Sequence, residues 1–316
     1  MTGKELKRSI KYPLLVGLAK LLIFTTRLFP RSWALWFYGR LGSLAYSLLK
    51  KEQRKTFNNL KIAYGDEKSD EELKRMARNV FVHQAKNGAD YILALKVKNR
   101  EQYAKYIDIS GEEHLKKAYD RGKGVICLIN HTGSWEFSAI TPSILGYETT
   151  AVSKALKNKQ LNDMIIGFRK SRGLKNLSRG KTYPLLLEAL NAGNCLIIMI
   201  DQDTKVKSVF VDFFEKPCYT PIGAALLALD TEAAVVPMSM KRMPSNKHLF
   251  TIKPEIELTR TGDQKADILA NTKKFSTVIE DYVRDAYDQW VWMHERWKTT
   301  PETVEELKRK GVIKSQ

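Results

Sequence analysis

Three unbroken apolar runs constrain this chain more than any other feature: GVICLIN at 124–130, NCLIIMI at 194–200 and AAVVPMSMKR at 233–242. A strand that alternates polar and apolar residues has one face in water, whereas an uninterrupted apolar run marks a strand covered on both faces. Such strands belong to parallel sheets roofed by helices, and the intervening segments supply helices. EEHLKKAYDRGKG lies before the first run, and LNDMIIGFRKSRG and PLLLEALNAG lie before the second, each amphipathic and closed by glycine. The alternation predicts an α/β fold with a mostly parallel sheet flanked by helices. TTAVSKAL adds a short strand and HLFTIKPEIEL an alternating, more exposed one. Residues 134–145 and 265–297 read as helices, and the basic tail 305–316 as mobile.

Nearer the N-terminus, residues 54–64 (RKTFNNLKIAY) read as a basic amphipathic helix, and Ser69 with Glu72 forms a capping box that opens a second helix to about residue 95. Residues 12–29 (YPLLVGLAKLLIFTTRLF) are long enough to span a bilayer at ~1.5 Å per residue. Lys20 and Arg27 interrupt them, and no small-residue cleavage site follows. Residues 33–49 carry Trp33, Trp36, Tyr38 and Tyr46, types that favour a headgroup interface. Residues 1–50 are therefore expected to form a membrane-associated region with a membrane-anchoring helix, monotopic or spanning once, and residues 51–316 the catalytic domain.

Charge and cysteine content narrow the partners. Lys and Arg number 53 against 35 Asp and Glu, a net charge of +18, which concentrates anionic partners without specifying a fold. Nucleic acid, an anionic bilayer with phosphorylated lipids, and an acidic carrier protein all fit. No RNP or zinc-finger signature accompanies the charge, so no nucleic-acid partner is expected. Cys127, Cys195 and Cys218 lack metal-ligand spacing, and the first two sit in apolar runs. They predict no disulfide framework, no metal site and a reducing compartment.

The polar residues just beyond the apolar runs carry the chemistry. In open α/β sheets, sites form past the carboxyl ends of strands. His131 follows the first run, in Asn130-His-Thr-Gly-Ser-Trp-Glu136. Residues five apart on one helix lie ~140° apart, so His131 and Glu136 would not share a face. With His131 in a turn that Gly133 permits and Glu136 in the first helical turn, they can meet. A carboxylate that fixes the imidazole tautomer makes histidine a general base toward an alcohol. Asp201-Gln202-Asp203 follows the second run and converges on the same edge if the strands are parallel, though aspartates also favour turns. Arg169 and Arg172 close an amphipathic helix and suit phosphate recognition. Residues 209–229 (VFVDFFEKPCYTPIGAALLAL) read as an aromatic-apolar loop entering a helix, with Thr220 as its N-cap. Phe213 and Phe214 could line an acyl-chain groove or pack in the core.

Together these blocks resemble the late acyltransferases of lipid A biosynthesis, the lauroyl/myristoyl transferase family within the glycerolipid and lysophospholipid acyltransferase superfamily. His131-Thr-Gly-Ser-Trp-Glu136 is similar to the family's HxxxxE box, and Arg169 falls where the family carries an arginine associated with the glutamate. Asp201-Gln202, residues 210–214 (FVDFF) and Thr220 resemble its DQ…V-x-FF…T block, and residues 292–298 (WMHERWK) its closing segment. Ser134 stands where the family usually has Asn, and Glu215 where it commonly has Gly. The resemblance implies a fold like that of the glycerol-3-phosphate acyltransferase domain. It also implies His131, Glu136 and Arg169 as catalytic residues, with Asp201, Gln202, Arg172, Thr220, Phe213 and Phe214 around the substrates. No cofactor is implied; the donor is acyl-acyl carrier protein or acyl-coenzyme A, and acyl carrier protein is the implied protein partner. The implied acceptor is a hydroxyl of a phosphorylated lipid A precursor, at the inner membrane with the site facing the cytoplasm. The same chemistry on a lysophospholipid, a glycolipid mannoside or an aminolipid is the alternative, and a membrane-bound lipid hydrolase a more distant one.

Overall fold

The computed structural model describes residues 13, 16–17, 20–156, 158–180, 182–204 and 206–309. Its centre is a seven-stranded sheet: β1 (Ile107–Ser110), β2 (Val125–Ile129), β3 (Thr149–Ser153), β4 (Leu174–Ser178), β5 (Cys195–Met199), β8 (Ala234–Arg242) and β9 (His248–Ile252), in the order β1-β9-β8-β2-β5-β3-β4. From β8 across to β4 every pair is parallel, and the reversed β9 and β1 close one edge. All five residues of β2 are buried, as an apolar run without alternation requires. The sheet is thus α/β and mostly parallel, with helices over it, as the alternation predicts.

Ahead of the sheet lie α1 (Arg31–Leu48), α2 (Lys50–Tyr64), α3 (Asp70–Ala94) and the short α4 (Arg100–Ala104). The Ser69–Glu72 capping box forms, with the serine hydroxyl accepting from Glu72 N–H and the glutamate accepting from Ser69 N–H. Between strands run α5 (Glu112–Tyr119), α6 (Trp135–Ile144), α7 (Lys159–Lys170), α8 (Tyr183–Asn191) and α9 (Gly223–Asp230), followed by α10 (Gln264–Asp285) and α11 (Pro301–Arg309). Two apolar clusters sandwich the sheet. One gathers Leu128, Leu196, Phe213, Phe275, Trp290 and Trp292, and the other Val125, Cys127, Phe137, Ile197, Val236 and Phe250.

The membrane-anchoring helix expected over 12–29 is not found among the described residues. Among the described residues no helix is long and apolar enough to cross a membrane. Residue 12 and its basic flank at 4–11 lie outside the described residues, as do 14–15 and 18–19. Residues 20–28 are helical but carry Lys20 and Arg27, and Thr26 hydrogen-bonds the Tyr38 hydroxyl at 2.8 Å. α1 buries Ala34, Leu35, Tyr38, Gly39 and Gly42, and packs on Ala89 and Ile92 of α3. Close approach explains Gly42: a Cβ there would lie 2.5 Å from the Phe81 carbonyl oxygen. Leu35 and Tyr38 are covered by protein, whereas Leu21, Phe24, Leu28, Trp33, Trp36 and Leu48 stay exposed. That no described helix can cross a membrane removes the ground for the expected inner-membrane placement with a cytoplasm-facing site.

Three local expectations also change. The helix read over 265–297 stops at Asp285, and residues 286–300 continue as turns. The aromatic loop at 209–229 begins with an antiparallel hairpin, β6 (Ser208–Phe213) and β7 (Lys216–Pro221), before α9. Phe214 and Glu215 form its tip at φ 54° and 57°, a left-handed turn of the kind glycine enters without strain. That geometry accounts for a glycine at the position Glu215 occupies here. Thr220 sits within β7 rather than capping α9, whose N-cap is Ile222. Of the tail read as mobile, residues 305–309 belong to α11 (Pro301–Arg309), and 310–316 lie outside the described residues.

Candidate active site

Strand register brings the site together. β2 and β5 are neighbours with Val125 opposite Cys195 and Ile129 opposite Met199. His131 and Asp201 each stand two residues past those last partners, side by side on the carboxyl edge. The His131 ring Nδ1 lies 2.7 Å from Asp201 Oδ1, and the His131 backbone N–H donates to Asp201 Oδ2 at 2.7 Å. Trp290 Nε1 donates to the same Oδ2 at 2.8 Å. Burial pushes the Asp201 carboxyl up, but the His131 charge and the hydrogen bonds from His131 and Trp290 outweigh it and hold it at about 2. An ionised carboxylate only accepts, so Nδ1 carries the hydrogen and Nε2 is left as the basic nitrogen. His131 is 19% exposed while Asp201 is sealed, and Nε2 has no protein partner among the described residues.

Glu136 occupies the first turn of α6 and pairs elsewhere. Arg169, in the last turn of α7, donates to both its oxygens, Nε to Oε2 at 3.2 Å and an outer nitrogen to Oε1 at 2.8 Å. The remaining outer nitrogen of Arg169 reaches Asn176 Oδ1 at 2.8 Å. This fork-on-fork pair is mostly shielded, at 13% and 18% exposed, a geometry that fixes both side chains. The sequence left two partners open for Glu136; its carboxylate lies on Arg169, and the imidazole takes Asp201.

The other expected site residues divide. Gln202 is half-buried beside Asp201. Arg172 is committed to its own chain, donating to the Leu95 carbonyl at 2.7 Å and stacking over Phe168. Phe213 and Phe214 are buried among Tyr64, Trp290, Trp292 and Trp297 rather than along an open groove. Thr220 accepts a 2.7 Å hydrogen bond from buried Arg296, which ties the closing segment to β7. Asp203 accepts from Thr299 N–H at 2.8 Å. Sequence reasoning missed Trp290 because it lay inside a segment read as helix. It also gave no role to Asn130, whose Oδ1 accepts from Thr132 N–H and Ser239 and so shapes the turn beneath His131.

A histidine–aspartate base at the carboxyl edge, beside a clamped glutamate–arginine pair, is equipped to activate an alcohol for acyl transfer. The bacterial lipid A biosynthesis acyltransferase family matches residues 4–299, and the chain belongs to that family of acyltransferases. Membership implies an acyl donor and a lipid acceptor. Among individual relatives, the phosphatidylinositol mannoside acyltransferase of Mycobacterium tuberculosis is 28% identical over 212 residues, 65% of each chain. The lipid A biosynthesis lauroyltransferase of Escherichia coli K12 is 25% identical over 271 residues, 84% of this chain and 85% of that one. The palmitoleoyltransferase of the same organism is 25% identical over 269 residues, covering 83% and 84%. The chain thus spans 65% of the length of the mannoside relative and more of the lipid A enzymes.

Proposed function

We propose that this protein transfers a fatty acyl group from an acyl thioester to a hydroxyl of a glycolipid, with a lipid mannoside as the acceptor. The observation that carries the chemistry is the His131 ring, held by Asp201 through Nδ1 and open at Nε2. Nε2 removes the proton from the acceptor hydroxyl, and the oxygen bonds to the thioester carbonyl carbon. The tetrahedral adduct then expels the thiolate, which takes the proton back from the imidazolium. Asp201 stabilises that imidazolium in between. Arg169, fixed by Glu136, presents positive charge near the negative charge that develops on the carbonyl oxygen. The +18 charge suits an acidic carrier or phosphorylated headgroup.

The mannoside acceptor is favoured by the 28% identity of the mannoside relative. A lipid A precursor is the second reading, favoured by the family match and the longer coverage of the lipid A enzymes. Purified protein supplied with acyl-coenzyme A or acyl-acyl carrier protein, and with either phosphatidylinositol mannoside or a lipid A precursor, separates them by mass spectrometry of the products. The expected product is the mannoside one acyl chain heavier. Acylation of the lipid A precursor alone replaces the acceptor, and fatty acid release that no acceptor accelerates replaces transfer with hydrolysis.

A further inference from the structure

The turn that carries His131 is held from behind by a buried side chain that the reaction itself does not use. Asn87, on α3 and 6% exposed, donates through Nδ2 to the Gly133 carbonyl at 2.7 Å. Its Oδ1 accepts from an outer nitrogen of Arg242 at 2.8 Å. The other outer nitrogen of Arg242 lies 2.5 Å from Asp90 Oδ2, and Asp90 also takes Arg31 and His248. Asn87 is therefore locked at both ends, one on the catalytic turn and one on a buried ion cluster.

What it holds matters because of where Gly133 lies. At φ 57°, with its absent Cβ only 2.2 Å from the Met240 carbonyl oxygen, Gly133 is the position that lets the chain bend from His131 into α6. Gly133 N–H donates to the Gln289 carbonyl at 3.1 Å. Gln289 in turn is clamped to the Arg242 backbone in both directions, at 2.6 and 2.9 Å. The Gly133 carbonyl and the Ser134 N–H belong to one planar trans peptide, so they point in opposite directions. Fixing the carbonyl on Asn87 fixes the Ser134 N–H facing away from it. That N–H, at the start of α6, has no acceptor among the described residues, as expected of a helix N-terminus.

We propose that Asn87, backed by Arg242, is a positioning residue: it sets the Gly133–Ser134 peptide so that His131 and the free Ser134 N–H keep the orientation needed for acyl transfer. The rate consequence rests on the proposed acyl transfer, but the orientation itself does not. Misplacing a catalytic group by about 1 Å costs on the order of 10²-fold in rate. Loss of Asn87 should accordingly lower kcat about that much while leaving KM for the donor within about twofold.

The test compares full-length wild type with Asn87→Asp, Asn87→Ala and Arg242→Lys. Asn87→Asp keeps an acceptor for Arg242 and loses the donor to Gly133. Asn87→Ala loses both, and Arg242→Lys keeps the charge beside Asp90 but lacks the planar fork that spans Asp90 and Asn87. Two readouts are taken: steady-state turnover with lauroyl-coenzyme A, and the NMR resonances of the Ser134 amide and the His131 Nδ1–H. The expected result is a kcat loss with KM kept, accompanied by shifted Ser134 and His131 resonances, in every variant that folds. A folded Asn87 variant with wild-type kcat, or with unmoved Ser134 and His131 signals, overturns the proposal. A loss confined to KM overturns it as well. If wild type turns over no acceptor, the acyl-transfer reading fails, and the resonances alone decide the placement.

Discussion

Two buried aspartates in this protein each grip a histidine, and only one of the pairs is equipped for chemistry. Asp201 meets His131 Nδ1 at 2.7 Å, and Asp90 meets His248 Nε2 at 2.8 Å. Both carboxyls are driven up by burial and pulled below their ordinary value by their partners. For Asp201 those are His131 and Trp290; for Asp90 they are His248, Arg242 and Arg31. The difference lies at the far nitrogen of each ring. His131 is 19% exposed, whereas His248 is fully sealed, its Nδ1 buried without a partner. Burial pushes the His248 ring down toward the neutral form, and no proton acceptor or substrate can reach it. A histidine–aspartate pair becomes a base only when its second nitrogen opens onto a reactant; otherwise it is a joint.

The sharpest way to break that contrast is to remove each histidine system in turn. His131→Ala should lower kcat by ~10²–10⁴ with little change in Tm. Asp201→Asn should lower it comparably, and the double variant no further than the worse single, because the two act as one unit. Asp90→Ala should act first on stability, with any kcat loss passing through the Arg242–Asn87 support and staying below that of His131→Ala. Stripping the anion from Arg31, Arg242 and His248 leaves buried charge uncompensated and should cost about 3–5 kcal/mol in urea unfolding.

Acid offers a subtler comparison. The Asp201 carboxyl lies at about 2 in the fold, below its ordinary value near ~4 when unfolded. Its contribution is therefore full above about pH 4 and is lost as pH falls through about 2. It should be on the order of 2 kcal/mol, and Asp201→Asn should lack that part of the acid-induced fall in Tm. The smallest effect is expected at the clamp beside the site. Glu136→Gln keeps the shape but weakens the grip on Arg169, and should lower kcat by about tenfold with Asp201 and His131 still paired. A Glu136→Gln loss as large as that of His131→Ala would mean that the glutamate, not the aspartate, governs the histidine.

How much of this could be read from residue order alone follows from what each signal encodes. The apolar runs fixed the interior strands, and placed His131 and Asp201 beyond two of them, because burial on both faces leaves a compositional mark. Which strands lie side by side leaves no such mark. Glu136, inside the same short motif, therefore looked the natural partner of His131 until the β2–β5 register put Asp201 there. The hairpin at Phe214–Glu215 escaped notice since neither residue announces a left-handed turn. The helix read to 297 overran because no glycine or proline interrupts the residues around Asp285, and the turns that follow are held by Trp290 and Gln289 contacts from elsewhere in the chain. The expected anchor differs for the opposite reason. Its apolar residues are legible, but Leu35 and Tyr38 among them pack on the distant α3, and Lys20 and Arg27 break the rest.

The in-register pairing of β2 with β5 has one more consequence, and it concerns what kinds of length change this lineage can tolerate. Between His131 and Asp201 the chain makes α6, β3, α7, β4 and α8, and residues added at the surface loops there leave the edge geometry untouched. A single residue inserted within Cys195–Met199 is another matter, since strand side chains alternate faces and every one beyond the insertion would turn over. The carboxylate would then face away from the imidazole. Loop length in this stretch is free to drift, whereas the odd or even count along β5 is not.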